Sequence, residues 1–141
     1  MAHRVLTSAF LAVVSLGALH AHNAMATCTT PLTQVAISTA LEGNYASGTN
    51  GTESWNEGHC SKTLYDYKKG PTDPIDPQKI VGSYSYSTSN GSGTVQYSYT
   101  GGPSFTYFVQ FISTGSYRFC PTGGGGDLII TVAPKAGCPS S

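Results

Sequence analysis

Charge is scarce in this chain. Its 141 residues carry 7 Lys+Arg and 7 Asp+Glu, for a net charge of zero, and arginine occurs only at Arg4 and Arg118. No basic patch exists to track a phosphate backbone, which excludes nucleic acid as a natural partner. Long apolar runs are also missing, except for Val5 to Leu19, which is too short to span a bilayer comfortably. That run follows Arg4 and precedes Ala24-Met25-Ala26, which puts small residues at the −3 and −1 positions of a cleavage site. The pattern is that of a secretory signal peptide over 1–26, followed by a single domain over 27–141. The expected location is therefore periplasmic or extracellular, with no membrane span after the signal is removed.

Removal of the leader makes histidine scarcer still. His3, His20 and His22 leave with it, so His59 alone remains. Any Ser/His/Asp or Cys/His catalytic set would have to use His59, and there is no G-x-S-x-G. Paired C-x-x-C spacings and the D-x-D-x-D-G calcium loop are absent too. The four cysteines, Cys28, Cys60, Cys120 and Cys138, then read as two disulfides in an oxidising compartment. If the strands around the glycine run 123–126 form a hairpin, Cys120 and Cys138 lie on the order of 25 Å apart, too far to bond. Pairing of Cys28 with Cys138 and Cys60 with Cys120 is favoured. Cys28–Cys120 with Cys60–Cys138 remains open.

What the chain has is alternation. "IVGSYSYSTS" puts Gly82, Tyr84, Tyr86 and Thr88 on one face and serines on the other. "NGSG" is a hairpin signal, and "TVQYSYT" aligns Val95, Tyr97 and Tyr99. "SFTYFVQFIS" aligns Phe105, Tyr107, Val109 and Phe111, and "SYRFC" aligns Tyr117 with Phe119 before "DLIITVAP". Repeated period-2 patterning predicts a mostly β fold, an antiparallel meander closing as a small barrel or β-sandwich, stapled by disulfides. Upstream, "QVAISTALEGNY" reads as a strand, "YASGTNGTES" as a loop, and "ESWNEG" as at most a helical turn. No amphipathic helix is expected after the leader. Pro71, Pro74 and Pro77 make a stiff arm.

The order "WNEGHC", "DYKKGPTDPIDP", "VGSY" and "YRFC" resembles that of an uncharacterised group of small exported proteins of Gram-negative bacteria. The resemblance covers Leu41 to Cys120. It implies export and assigns no activity or cofactor. Asn44 is followed here by Tyr45, Ala46 and Ser47, where that group often carries threonine and cysteine.

Few residues remain for chemistry. Glu42, Glu53, Glu57, Asp66 and Asp127 are the carboxylates from which a glycosidase-like pair would be drawn. His59 with Glu57 and Asp66 makes a poor soft-metal set, and Asp73 and Asp76 read as turn acceptors rather than calcium ligands. The tyrosines carry more information. Tyr65, Tyr67, Tyr84, Tyr86, Tyr97, Tyr99, Tyr107 and Tyr117 fall on neighbouring strands, and buried phenols need partners or water. Either they form the core with hydroxyls at its rim, or they line a wet aromatic cleft. The expectation is a non-enzymatic binding module for an unknown ligand or protein at the cell envelope, without cofactor or metal. Its candidate contacts are Trp55, His59, Tyr84, Tyr86, Tyr97 and Tyr99. The alternatives are a self-assembling surface subunit pairing strand edges, and an enzyme using Glu57 or His59. "SWNEGHC" itself reads as a disulfide-pinned corner beside the sheet.

Overall fold

A computed structural model describes residues 28–67, 78–134 and 138; the leader and the Asp73–Asp76 arm lie outside them. Eight antiparallel strands close on themselves as an up-and-down barrel in simple sequence order. They are β1 (Asn44–Asn50), β2 (Glu53–Cys60), β3 (Thr63–Tyr67), β4 (Gln78–Ser89), β5 (Ser92–Tyr99), β6 (Ser104–Ser113), β7 (Ser116–Pro121) and β8 (Leu128–Pro134). Of the two expected architectures, the chain forms the barrel. The final pairing, Ala46 opposite Val132, joins β1 to β8. Every strand therefore has a neighbour on both sides, and no sheet edge is left to template assembly.

Alternation sets the sidedness. Tyr84, Val95, Tyr97, Val109, Phe119 and Ile130 are buried inside, while Ser83, Ser85, Ser87 and Gln96 are exposed outside. A lipid-facing barrel has the reverse arrangement, with an apolar outer band. Among the described residues no helix is long and apolar enough to cross a membrane.

The upstream third departs from its local sequence signals. Gln34–Leu41 is an α-helix, α1, not a strand. Thr33 caps it, its Oγ1 accepting from the Ala36 amide at 3.2 Å, and Gly43 ends it with φ +74°. Eight residues are too few to hold a helix in water. What holds α1 is burial of Ile37 and Leu41, one turn apart and both essentially inaccessible. The supposed loop 45–54 is a hairpin, Tyr45 pairing with Gly58 and Thr49 with Ser54. "SWNEGHC" is consequently a full strand through the barrel wall and not a corner.

α1 closes the rim where the even-numbered strands end. Its approach runs through the wall. Pairing of β5 with β6 stops at Thr94 and Phe108, and beyond that point Leu32 sits between them. The Leu32 amide donates to Val109 O at 2.7 Å, and its carbonyl accepts from the Gly93 amide at 2.8 Å. A Cβ on Gly93 would overlap the Thr33–Gln34 backbone, so only glycine lets the segment pass.

The disulfides are Cys28–Cys120 and Cys60–Cys138, the pairing left open rather than the favoured one. The reason is strand parity. Cys60 ends an even strand at the helix rim, where β8 also ends before Cys138. Cys120 lies near the end of an odd strand, at the opposite rim. Cys60 and Cys120 are thus at opposite ends of the barrel.

Candidate functional site

Among the described residues nothing covers the rim opposite α1. Inside it lies a cavity of about 320 Å³ lined by Asn50, Trp55, Glu57, Tyr97, Tyr99, Phe105, Tyr107, Phe119, Leu128 and Ile130. That volume falls within the range of small-molecule sites. Its aromatic wall is continuous. Tyr99 meets Phe105 edge-on at 6.2 Å, Phe105 lies 6.4 Å from Tyr107, and Tyr107 lies 5.7 Å from Phe119. Phe119 in turn stacks on Tyr97 at 6.5 Å. Trp55 occupies the space its cross-strand partner Gly48 leaves open, since a Cβ there would overlap the indole.

β2 contributes alternate residues to the interior: Trp55, Glu57 and His59. Glu57 is the carboxylate of the cavity wall. The Tyr99 hydroxyl donates to both its oxygens, at 2.9 and 3.1 Å. Burial raises its pKa to about 7; the Tyr99 hydrogen bond opposes the shift, and the charge of Asp66, its cross-strand partner, adds to it. Desolvation outweighs the hydrogen bond. The phenols of Tyr97, Tyr99 and Tyr107 are pushed upward, chiefly by burial, and stay neutral.

His59 lies deeper, fully buried. Its Nε2 is 3.0 Å from the Tyr97 hydroxyl, and its ring centroid is 4.8 Å from that of Tyr84. Burial lowers its pKa to about 4, so it is neutral at ordinary pH. Its Nδ1 has no hydrogen-bond partner among the described residues. The Tyr84 hydroxyl donates to Glu42 Oε2 at 2.6 Å, and Glu42 Oε1 accepts from the Ser61 amide at 2.7 Å. Those two bonds fasten the α1–β1 junction to β4 and to the β2–β3 turn.

Comparison with protein-family models, curated proteins and solved structures finds no match to this chain.

Of the six contacts expected from sequence, Trp55, Tyr97 and Tyr99 line the cavity; His59, Tyr84 and Tyr86 do not. Phe105, Tyr107, Phe119, Leu128 and Ile130 were not among the expected contacts, although their own alternation puts them on the inner face. Tyr65 pairs with outward Gly58 and leaves the tyrosine face, and nothing is described of the Tyr67 side chain. Among the described residues no group of three or more His, Cys, Asp or Glu is placed to hold a metal ion. A second recess of about 280 Å³ lies on the outer wall, lined by Cys28, Pro31, Phe108 and Asp127 among others.

Proposed function

We propose that this protein is an exported binding module that takes a small, partly aromatic molecule into the open end of its barrel. The observation that carries the reading is the cavity itself, which joins six aromatic side chains to one desolvated carboxylate behind an open rim. A close-packed core would fill such a space, because interiors leave few voids larger than a water molecule. Export is supported by the leader over 1–26, by the resemblance to exported Gram-negative proteins, and by two disulfides that tie distant parts of the chain. Self-assembly through strand edges loses its physical basis once the barrel closes. Of the two residues on which the enzyme alternative rests, Glu57 lines the cavity and His59 does not.

Leu128 stands in the cavity wall near the rim, opposite Phe119 on the neighbouring strand, so Leu128→Trp fills the space from its mouth. Calorimetric titration with phenyl β-glucoside, 2-phenylethanol and benzyltrimethylammonium should show binding of at least one probe. The substitution should weaken that binding by roughly tenfold or more while the fold persists by circular dichroism. No binding by any probe, or binding that Leu128→Trp leaves unchanged, would contradict the proposal.

A further inference from the structure

Resting on that reading, we infer that the cavity selects an organic cation: a quaternary or alkylated ammonium group held against the aromatic wall, with Glu57 as its counter-charge. Among the described residues the lining contains Glu57 and no lysine, arginine or histidine. The described groups that face Glu57 from the neighbouring strands are neutral or negative. Asn50 comes from β1, Asp66 from β3, Tyr97 and Tyr99 from β5, and Tyr107 from β6. His59, two residues along β2, is buried and neutral. A carboxylate taken out of water needs an opposite charge or several donors. Here, among the described residues, the one donor in hydrogen-bond range is the shared Tyr99 hydroxyl. A bound cation supplies the missing charge, and the electron-rich ring faces of a tyrosine, tryptophan and phenylalanine wall attract the same group. An anionic ligand would meet the Glu57 carboxylate. A neutral ligand would gain the wall but leave the carboxylate uncompensated.

Proton linkage follows. A cation favours ionised Glu57, so binding releases a proton below the pKa of about 7 and releases none above it. Affinity should therefore rise with pH to about 7 and then level off.

The test compares benzyltrimethylammonium with neopentylbenzene, the same skeleton with carbon in place of the charged nitrogen. The charge on the first is permanent, so any pH dependence belongs to the protein. At about pH 8 the cation should bind at least tenfold more tightly, and Glu57→Gln should erase that preference while sparing the neutral probe. Below pH 7 the cation's affinity should fall by up to about tenfold per unit, and the neutral probe's should stay flat. Equal binding of the two probes, or a preference that survives Glu57→Gln, would overturn the cation inference and leave the cavity reading standing. Binding of neither probe would overturn the cation inference, and the cavity reading would fall with it only if phenyl β-glucoside and 2-phenylethanol also failed to bind.

Discussion

Replacing Cys28 and Cys120 together by serine will destabilise the protein by roughly 4–5 kcal/mol, as chain entropy requires for a cross-link spanning 92 residues. That is a large part of the stability of a small domain. The same reasoning applied to Cys60 and Cys138, 78 residues apart, gives nearly the same cost, within about 0.2 kcal/mol. The structure nevertheless predicts that the two losses will differ. Cys28–Cys120 anchors the segment that threads between β5 and β6 and delivers α1 to the barrel end. Without it, that segment keeps the two Leu32 backbone bonds and the Thr29 amide bond to Gln110 Oε1 at 2.9 Å. Urea unfolding of the two double variants should show the larger loss for Cys28/Cys120, and amide exchange in α1 should accelerate in that variant alone. Equal losses with α1 equally protected would mean that the helix is held by Ile37 and Leu41 and not by its tether.

Substituting Glu57 by glutamine will stabilise the unliganded protein at about pH 8, by on the order of 2–3 kcal/mol. The folded pKa of Glu57, about 7, lies above its ordinary value of 4.5. The folded state keeps that proton longer, and stability is lost as pH rises from 4.5 through 7. His59 acts in the opposite direction. Its folded pKa of about 4 lies below its ordinary value of 6.5, so the unfolded chain is protonated first and stability is lost as pH falls through that window. Between about pH 4.5 and 6.5 the two slopes nearly cancel, and the native protein should show a flat profile. Glu57→Gln removes one of them and exposes the other, giving a stability that climbs with pH from about 4 to 6.5. A variant less stable than the native protein at about pH 8 would show that the carboxylate supports the fold. The cavity would then lack the uncompensated charge that marks it as a site. A residue whose loss stabilises a protein is expected where stability has been exchanged for function.

The legibility of the fold in the sequence was uneven along the chain, for physical reasons. From Ile80 onward, alternation and the Asn90-Gly91 turn gave the strands and their inner faces correctly. Asn-Gly suits a turn needing two positive φ values, and it adopts φ +50° and +81° here. The β2–β3 turn has the same geometry but is built from Ser61 and Lys62, at φ +50° and +65°, residues that announce nothing. Its cost is met by tertiary contacts: the Ser61 amide bonds Glu42, and the Lys62 carbonyl accepts from the Tyr84 amide at 3.0 Å. α1 was hidden in the same way, since Val35, Ile37 and Thr39 favour strands locally. Reading "SWNEGHC" as a corner rather than a strand left Cys60 without a place at either rim. The disulfide error followed from that. Glu57 was visible as a carboxylate, yet only closure of the barrel brings Asp66, Tyr99 and Tyr107 around it from three other strands.

Trp55 is the single tryptophan of the chain and stands in the cavity wall, so its indole N–H resonance reports directly on the barrel interior. A two-dimensional NMR titration with benzyltrimethylammonium should move that resonance, together with the amides of Glu57, Tyr99 and Phe105. The amides beside the outer recess, at Cys28 and Phe108, should stay in place. Shifts confined to the outer recess, with the Trp55 indole unmoved at saturation, would contradict the assignment of the barrel interior as the binding site.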